Sequence, residues 1–302
     1  MGHHHHHEHT KEGKKLLLTV LLNLAITLAE FIGGIFSNSL ALISDAFHNL
    51  GDTVAILITY ITERISKRAS DEKHTFGYKR IQILAALFNA VTLIAISVFL
   101  FFEAWERFNN PQPIKSLLML SVASIGLLAN LISVALLQAH QKENINIKAA
   151  YLHLIGDTLS SVAVIIGGIL IYFYEIYWID PLITVLISLY IIKETYIILY
   201  DTYKILMQGT PSGVNIDDIV KNVTELSEIK GIHHIHVWSL TDREVHFEAH
   251  VDLSHDMKIS DGQMVVDKVQ EILKKNFNID HVTLQLEYDS CDNKDLIHQE
   301  RK

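Results

Sequence analysis

The chain has 302 residues, of which 49% are hydrophobic, and its formal net charge is −9 at pH 7. Nucleic-acid-binding proteins present a basic surface, so we expect no nucleic-acid partner. The single cysteine, Cys291, excludes both an intrachain disulfide framework and a cysteine-rich zinc site.

The chain begins with a histidine-rich tail, residues 1–15. Glu8 interrupts the histidines and no protease site follows, whereas a purification tag usually has an unbroken run and a linker. Two interpretations remain open at this point, an expression tag and a native strip whose imidazoles bind metal ions. The histidines of the tail are His3, His4, His5, His6, His7 and His9.

Six apolar segments follow within residues 16–203. A transmembrane helix needs about 20 predominantly apolar residues, and each segment meets that length. The segments are 16–36, 39–62, 83–102, 116–139, 150–174 and 177–200. They predict an α-helical membrane protein with six transmembrane helices.

The lysines and arginines predict the orientation of these helices. The connection 64–80 holds six of them, whereas the turn near residue 37 and the link 175–180 hold none. Loops on the cytoplasmic side carry an excess of positive charge. We therefore expect both termini in the cytoplasm.

Residues 204–290 change in character and predict a soluble α+β domain. Its predicted elements follow the order αββαβ, with apolar residues at helical spacing in the helices and alternating in the strands. The five elements cover residues 215–229, 231–241, 244–253, 260–277 and 281–288. Ser260 is the expected N-cap of the second helix. The last residues, 291–302, form a C-terminal tail.

Ionisable residues recur on one face of two of the membrane segments. Asp45, His48 and Asp52 are spaced i, i+3 and i+7 in the second segment, and His153 and Asp157 are spaced i and i+4 in the fifth. Both segments therefore carry the same H-x-x-x-D pair. Ionisable groups at membrane depth are costly unless they are paired or hydrated, which makes them candidates for a functional site.

Two such pairs facing each other offer two imidazole nitrogens and two carboxylate oxygens. This donor set suits tetrahedral Zn²⁺, and the two aspartates neutralise one divalent ion. Protons compete for the same groups near neutral pH, because the ordinary pKa of histidine is about 6.5. The set predicts a metal/proton antiporter. The alternative is that each pair only holds helices together through hydrogen bonds.

The membrane segments contain two further acids that bear on the site, Asp45 and Glu30. We expect Asp45 to support the ligands or to lie on a proton path rather than to bind the ion. Glu30 is expected to join helices, with a proton carrier as the alternative role.

Six short stretches, spread over nearly the whole length of the chain, resemble those of a known protein family. They are "SLALISDAFHNLGD", "HTFGYKR", "AYLHLIGDTLSSV", "WIDP", "ILMQGTP" and "HVWSLT". With them the chain resembles the cation diffusion facilitator family of zinc transporters, and specifically its zinc/cadmium/cobalt-resistance branch.

The resemblance implies a homodimer with six transmembrane helices and a ferredoxin-like cytoplasmic domain. It implies export of divalent metal by alternating access, with protons as the counter-substrate. By the same resemblance His48, Asp52, His153 and Asp157 form the transport site, and their all-His/Asp composition is similar to that of zinc-selective members.

The resemblance also implies two secondary metal sites. In the cytoplasmic domain it implies a regulatory zinc ion bound by His233, His250, His281 and Glu287; an ordinary solvated strand face is the alternative. Between the second and third helices it implies Asp71 and His74 as ligands. There Tyr78 stands where a second histidine can stand in the family, so an incomplete site in a surface loop is the alternative.

The function expected from the sequence is therefore a Zn²⁺/H⁺ antiporter that exports zinc, with Cd²⁺ and Co²⁺ as further candidate substrates. The compact length predicts a prokaryotic plasma (inner) membrane. An intramembrane metalloprotease would need a motif such as H-E-x-x-H, which the sequence lacks. A zinc sensor or storage protein without transport is the third hypothesis. In a zinc exporter, the histidine tail is interpreted as native and as concentrating zinc near the entrance.

Overall fold

The computed structural model describes the backbone of residues 8–138, 145–289 and 295–296. Side chains are described from residue 23 onward within these ranges, except at 136–137, 145–150 and 152–153. His3 to His7 and the side chain of His9 therefore lie outside the described residues. So does most of the predicted C-terminal tail.

Six long helices form the N-terminal two thirds of the chain. Five are long and apolar enough to cross a membrane, and the assessed apolar part of the first is the shorter segment Asn23–Ser37. The helices are α1 (Glu8–Ser37), α2 (Leu40–Ser66), α3 (Ile81–Asn109), α4 (Ser116–Gln138), α5 (Ile145–Tyr174) and α6 (Ile179–Leu206). The predicted α-helical membrane architecture is confirmed, although α1 begins at Glu8, eight residues before the predicted apolar segment.

Small residues allow the membrane helices to approach closely. At Gly33 of α1, a β-carbon would lie 2.7 Å from a methyl carbon of Val122 in α4. At Gly126 of α4, a β-carbon would overlap the carboxylate of Glu30 in α1. Glycine at membrane-helix interfaces permits such contacts because no side chain separates the backbones.

The C-terminal domain has the predicted order αββαβ. Its sheet order is β1-β2-β3, with β1 and β2 antiparallel and β2 and β3 parallel. The elements are α7 (Ile216–Thr224), β1 (Ile229–Ser239), β2 (Val245–Leu253), α8 (Ile259–Phe277) and β3 (His281–Glu287). Phe247 and Val251 of β2 pack with Val269 and Leu273 of α8 in the buried core. The alternating pattern of the strands therefore places their apolar residues against the helices.

The N-terminal caps differ between the two helices of this domain. The side chain of Asn215 accepts a hydrogen bond from the backbone N–H of Asp217 and so caps α7. The prediction that Ser260 caps α8 is wrong, because the helix already begins at Ile259 and its N-cap is Lys258, without a side-chain cap.

The described chain divides into two compact units. One comprises residues 1–61 and 88–199, and the other comprises residues 62–87 and 200–302. The second unit therefore includes the connection between α2 and α3 together with the C-terminal domain. Lys79 of that connection donates hydrogen bonds of 2.6 and 2.7 Å to the two carboxylate oxygens of Glu244.

Candidate metal centres

Three of the four predicted transport ligands lie together between α2 and α5. His48 Nε2 lies 3.1 Å from Asp157 Oδ1 and 3.7 Å from Asp52 Oδ2. One ligand atom from each of the three residues lies within 4.8 Å of the others. His48 and Asp157 are buried, whereas 27% of the Asp52 side chain is exposed. The cluster is therefore open on one side.

Helical spacing explains this geometry. His48 and Asp52 are one turn apart in α2, so both side chains lie on the same face. His153 precedes Asp157 by four residues in α5 and occupies the same face of that helix. The His153 side chain is outside the described ones.

Asp45 has a different set of partners. The hydroxyl groups of Ser160 and Ser161 in α5 donate to its two carboxylate oxygens, the second at 3.2 Å. Asp45 is buried, and this pair of bonds connects α2 to α5 one turn away from the ligands. The carboxylate is thus oriented toward hydroxyl donors rather than toward the cluster.

Glu30 is buried between three helices, with 1% of its surface exposed. Its Oε2 accepts a hydrogen bond of 2.8 Å from Asn49 of α2, the residue after His48. Its Oε1 has no hydrogen-bond partner among the described residues and lies against Gly126 of α4. Glu30 therefore joins α1 to the helix that carries two of the ligands.

Asp180 fixes the start of α2, the helix that carries His48 and Asp52, and the sequence did not predict this role. It is the second residue of α6, and its carboxylate accepts hydrogen bonds from Ser39 Oγ and from the backbone N–H groups of Leu40 and Ala41. Those N–H groups are at the start of α2 and have no partner within the helix. The only signal was the "WIDP" stretch, which does not reveal the partners of Asp180.

A second cluster lies on the sheet of the C-terminal domain. His250 Nδ1 is 2.8 Å from Glu287 Oε1, and His233 Nε2 is 3.3 Å from Glu287 Oε2. His233 Nε2, His250 Nδ1 and Glu287 Oε2 are buried, yet none makes a hydrogen bond of good geometry among the described residues. Buried polar atoms normally have a hydrogen-bond partner, so three that converge without one are typical of a metal site.

Strand pairing explains which residues form this cluster. His233 pairs with His250 across β1 and β2, and Glu287 pairs with Asp252, two residues further along β2. A bulge between His233 and His236, with His234 in the left-handed region at φ 56°, interrupts the β1 ladder beside the cluster. Residues that are distant in sequence are thereby brought to one face.

The grouping of His281 with these ligands is wrong. In β3, Gln285 lies opposite His250, and His281 lies opposite His246. Four residues of strand separate these two positions, which corresponds to about 13 Å. His281 instead contacts His246, with ring centroids 4.6 Å apart.

Comparison with known proteins identifies the family. The model of the cation efflux transmembrane domain matches residues 16–207, and the model of the cation efflux protein's cytoplasmic domain matches residues 211–289. The chain belongs to the cation efflux family. The family predicted from the sequence is confirmed, and its members are membrane transporters rather than enzymes.

Similar proteins of the cation efflux family are found in several bacteria. The zinc transporter ZitB of Pectobacterium atrosepticum is 38% identical over 304 residues, covering 99% of this chain and 93% of its own. The metal cation efflux system protein CzcD of Cupriavidus metallidurans is 39% identical, with 89% and 84% covered. The cadmium, cobalt and zinc/H(+)-K(+) antiporter of Bacillus subtilis is 35% identical, with 95% and 92% covered.

In this member of the cation efflux family, the α2–α3 connection forms a hydrogen-bonded turn around Asp71. Its Oδ1 accepts from the backbone N–H groups of Lys73 and His74, and its Oδ2 accepts from the Tyr78 hydroxyl at 3.0 Å. The Tyr78 hydroxyl, followed by the His74 backbone N–H, lowers the pKa of Asp71. Asp71 Oδ1 lies 3.2 Å from His74 Nδ1, and the Tyr78 hydroxyl donates to Asp71 instead of offering a third ligand.

Proposed function

We propose that this chain exports zinc from the cytoplasm in exchange for protons. The observation that carries the proposal is the convergence of His48, Asp52 and Asp157 within the membrane helices. The names of the relatives agree with it, since one is a zinc transporter and another is a cadmium, cobalt and zinc/H(+)-K(+) antiporter. Cadmium and cobalt are further candidate substrates, because the same antiporter name includes both.

The donor chemistry supports an exchange of zinc for protons. His48, Asp52 and Asp157, completed by His153, offer two nitrogens and two carboxylate oxygens, a set that Zn²⁺ accepts in tetrahedral geometry. Two carboxylates neutralise the bound ion, and protons on the same groups restore near-neutrality after its release. Alternating access then presents one set of ligands to the cytoplasm for loading and to the opposite side for release.

The C-terminal cluster is proposed as a regulatory zinc site. His233, His250 and Glu287 provide three donors, and solvent or another residue provides the fourth. Zinc bound there would neutralise the Glu287 carboxylate and hold β1, β2 and β3 at fixed spacing. We propose that the chain acts as a homodimer, since this part of the chain matches the cytoplasmic domain model named for dimerisation.

The organisation and location of the chain belong to the same proposal. The domains are the tail 1–15, the transmembrane domain 16–203, the cytoplasmic domain 204–290 and the C-terminal tail 291–302. Both termini lie in the cytoplasm, and the membrane is the plasma (inner) membrane of a bacterium, in agreement with the bacterial relatives. The N-terminal histidines capture zinc near the entrance.

Reconstitution tests the transport function. Protein in liposomes with an outward-directed or inward-directed pH gradient should move zinc against the proton flow, measured with a zinc dye on one side and a pH dye on the other. Asp157→Ala should abolish zinc flux, whereas Asp201→Ala, which removes an exposed carboxylate of α6, should retain it. Zinc flux at the parental rate in Asp157→Ala would overturn the site, and zinc binding without flux would favour a sensor or storage protein.

A further inference from the structure

A cavity of about 620 Å³ lies within the unit formed by residues 62–87 and 200–302. One wall is the α2–α3 connection, and the other comprises the β1–β2 turn and the start of β3. Neither proposed metal centre contributes a lining residue. The volume is in the range that holds a small ligand or a lipid headgroup.

Positive charge predominates in this cavity. Arg68, Lys79 and Arg243 line it, against the two carboxylates of Glu244 and Asp280. Lys79 already neutralises Glu244. Arg68 has no ion pair with an acid in the described part of the chain. Arg243 makes a 3.5 Å contact to Asp242 between two largely exposed side chains and interacts electrostatically with Glu63, which does not line the cavity. The cavity therefore favours an anion over a metal cation.

Neutral donors accompany these cations. The hydroxyl groups of Ser70 and Thr75 line the cavity and donate to no acceptor within the described residues. His246 and His281 add two imidazoles. Burial, and then the neighbouring imidazole of His281, lowers the pKa of His246. Arginine, hydroxyl and imidazole donors together are the groups that bind phosphate oxygens.

Aromatic residues from two of the recognisable stretches hold His246 in place. Trp238 of "HVWSLT" stacks on its ring at 5.4 Å and 22°, and Phe76 of "HTFGYKR" approaches edge-on at 5.4 Å. The Phe76 side chain is 54% exposed. The proposed transport function uses neither stretch, although both contribute to this one cavity.

Two cations of the cavity are close in sequence to the ends of apolar helices. Arg68 is two residues beyond the end of α2, and Lys79 is two residues before the start of α3. Both helices are long and apolar enough to span a bilayer. Basic residues directly outside such helices bind the headgroups of anionic lipids.

We infer that this cavity binds a phosphate ester, with an anionic phospholipid headgroup as its source in the membrane. Arg68 and Arg243 hold the phosphate oxygens, and the hydroxyls of Ser70 and Thr75 donate to them. The ligand would bridge the α2–α3 connection and the sheet. Binding would thus depend on the lipid composition around the transporter and does not depend on which metal is carried.

Fluorescence of Trp238 provides a local test in the full-length protein. With Trp105 and Trp178 changed to Phe, dihexanoyl phosphatidylglycerol should change the remaining signal saturably, and dihexanoyl phosphatidylcholine should not. The double variant Arg68→Gln/Arg243→Gln should weaken phosphatidylglycerol binding roughly tenfold or more. Lys73→Gln is the matched control, because it removes an exposed cation of the same connection that does not line the cavity.

The outcomes separate the possible ligands. Binding of sn-glycerol 3-phosphate as tight as that of phosphatidylglycerol supports the phosphate site with a soluble ester as its source, whereas much weaker binding supports the lipid. The proposal would be overturned if Lys73→Gln lost as much affinity for phosphatidylglycerol as the double variant does. It would also be overturned if phosphatidylcholine bound as tightly as phosphatidylglycerol. The proposal would also be overturned if zinc changed the Trp238 fluorescence saturably, His281→Gln abolished that change, and no phosphate compound changed the fluorescence.

Discussion

At the scale of the residue, the partners of each carboxylate separate ligands from supports. Asp45 accepts from two serine hydroxyls, and Asp180 accepts from a hydroxyl and two backbone N–H groups. Asp52 and Asp157 instead face the imidazole of His48. A carboxylate whose oxygens already accept hydrogen bonds is held in place, whereas one facing an imidazole and a second acid can exchange a proton for a metal ion.

The N-terminal cap of α2 gives the first residue-scale prediction. Asp180→Ala leaves the N–H groups of Leu40 and Ala41 buried without an acceptor, which should lower the free energy of unfolding by about 2 kcal/mol or more. Asp201→Ala in the same helix removes an exposed carboxylate and should change it by less than about 0.5 kcal/mol. Thermal unfolding in detergent measures both, and equal stability of the two variants would contradict the cap.

The C-terminal cluster gives the second residue-scale prediction. The background variant lacks residues 2–10 and carries Asp157→Ala, so that zinc binds mainly at the C-terminal cluster. In this background Glu287→Gln should weaken zinc binding at least about tenfold, because mutation of residues that only support metal ligands already has an effect of that size. The reason is that Glu287 contacts both His233 and His250. Glu271→Gln, an exposed acid of α8, should leave the affinity unchanged in calorimetry. Unchanged affinity in Glu287→Gln would remove this residue from the site.

Some residues of the sites could be predicted from the sequence, and others could not. The spacing of His48 and Asp52 follows from the helical period alone, so the pair was recognisable. The role of Asp180 depends on groups that lie 139 to 141 residues away in sequence, which no local pattern reveals. For His281, alternation predicted its face correctly, but the pairing of β3 with β2 decides its neighbours.

At the scale of the element, close packing of helices depends on single glycines. Gly126 lets α4 approach the buried carboxylate of Glu30, which in turn holds Asn49 of α2. Three helices thus meet at one point of contact. The composition of an apolar segment predicts a helix but not which glycine lies at such a contact, because it does not reveal which neighbouring helix each face meets.

Gly126→Val should displace Glu30 and lower the free energy of unfolding by about 1–3 kcal/mol, the usual cost of overpacking. Ser124→Val introduces the same side chain on the exposed side of the same helix and should have little effect. The midpoint of thermal unfolding and the zinc flux of both variants would test this prediction. Similar midpoints for the two would indicate that α1 and α4 do not need the close approach.

The α2–α3 connection offers a prediction about metal binding. Tyr78→His, in a background without residues 2–10, should add about one bound zinc ion per chain, since an imidazole would join Asp71 and His74. Tyr78→Phe removes the hydroxyl without adding a donor and should add none. Elemental analysis after gel filtration gives the ratio. No gain in Tyr78→His would mean that the turn cannot bring three ligands together.

At the scale of the whole molecule, the proposed sites are distributed over the two compact units. The ligands of the proposed transport site belong to one unit, and the C-terminal cluster and the cavity proposed to bind phosphate belong to the other. The αββαβ order was predictable because alternation and helical spacing differ clearly in a soluble domain. The inclusion of residues 62–87 in the second unit was not predictable from the sequence, since it depends on tertiary contacts such as that of Lys79 with Glu244.

The histidine tail gives the prediction at this scale. Deletion of residues 2–10 should raise the apparent KM for zinc roughly two- to threefold, because a tethered chelator raises the local concentration of the ion. The maximal rate should stay nearly unchanged, since the proposed ligands are in α2 and α5. Replacing the six histidines by asparagine should reproduce the effect at constant length. Loss of all flux would show that the tail is part of the transport site.

The hydrogen bonds between Asp180 and the start of α2 also limit how that helix can tilt. A helix pinned at one end pivots there, and its displacement grows with distance along the axis. With 27 residues, α2 extends about 40 Å, so a tilt of roughly 5° moves the far end by about 3.5 Å. That is more than the diameter of a water molecule, whereas the pinned end hardly moves. A small tilt of α2 could therefore open a passage at one membrane surface while the other stays sealed.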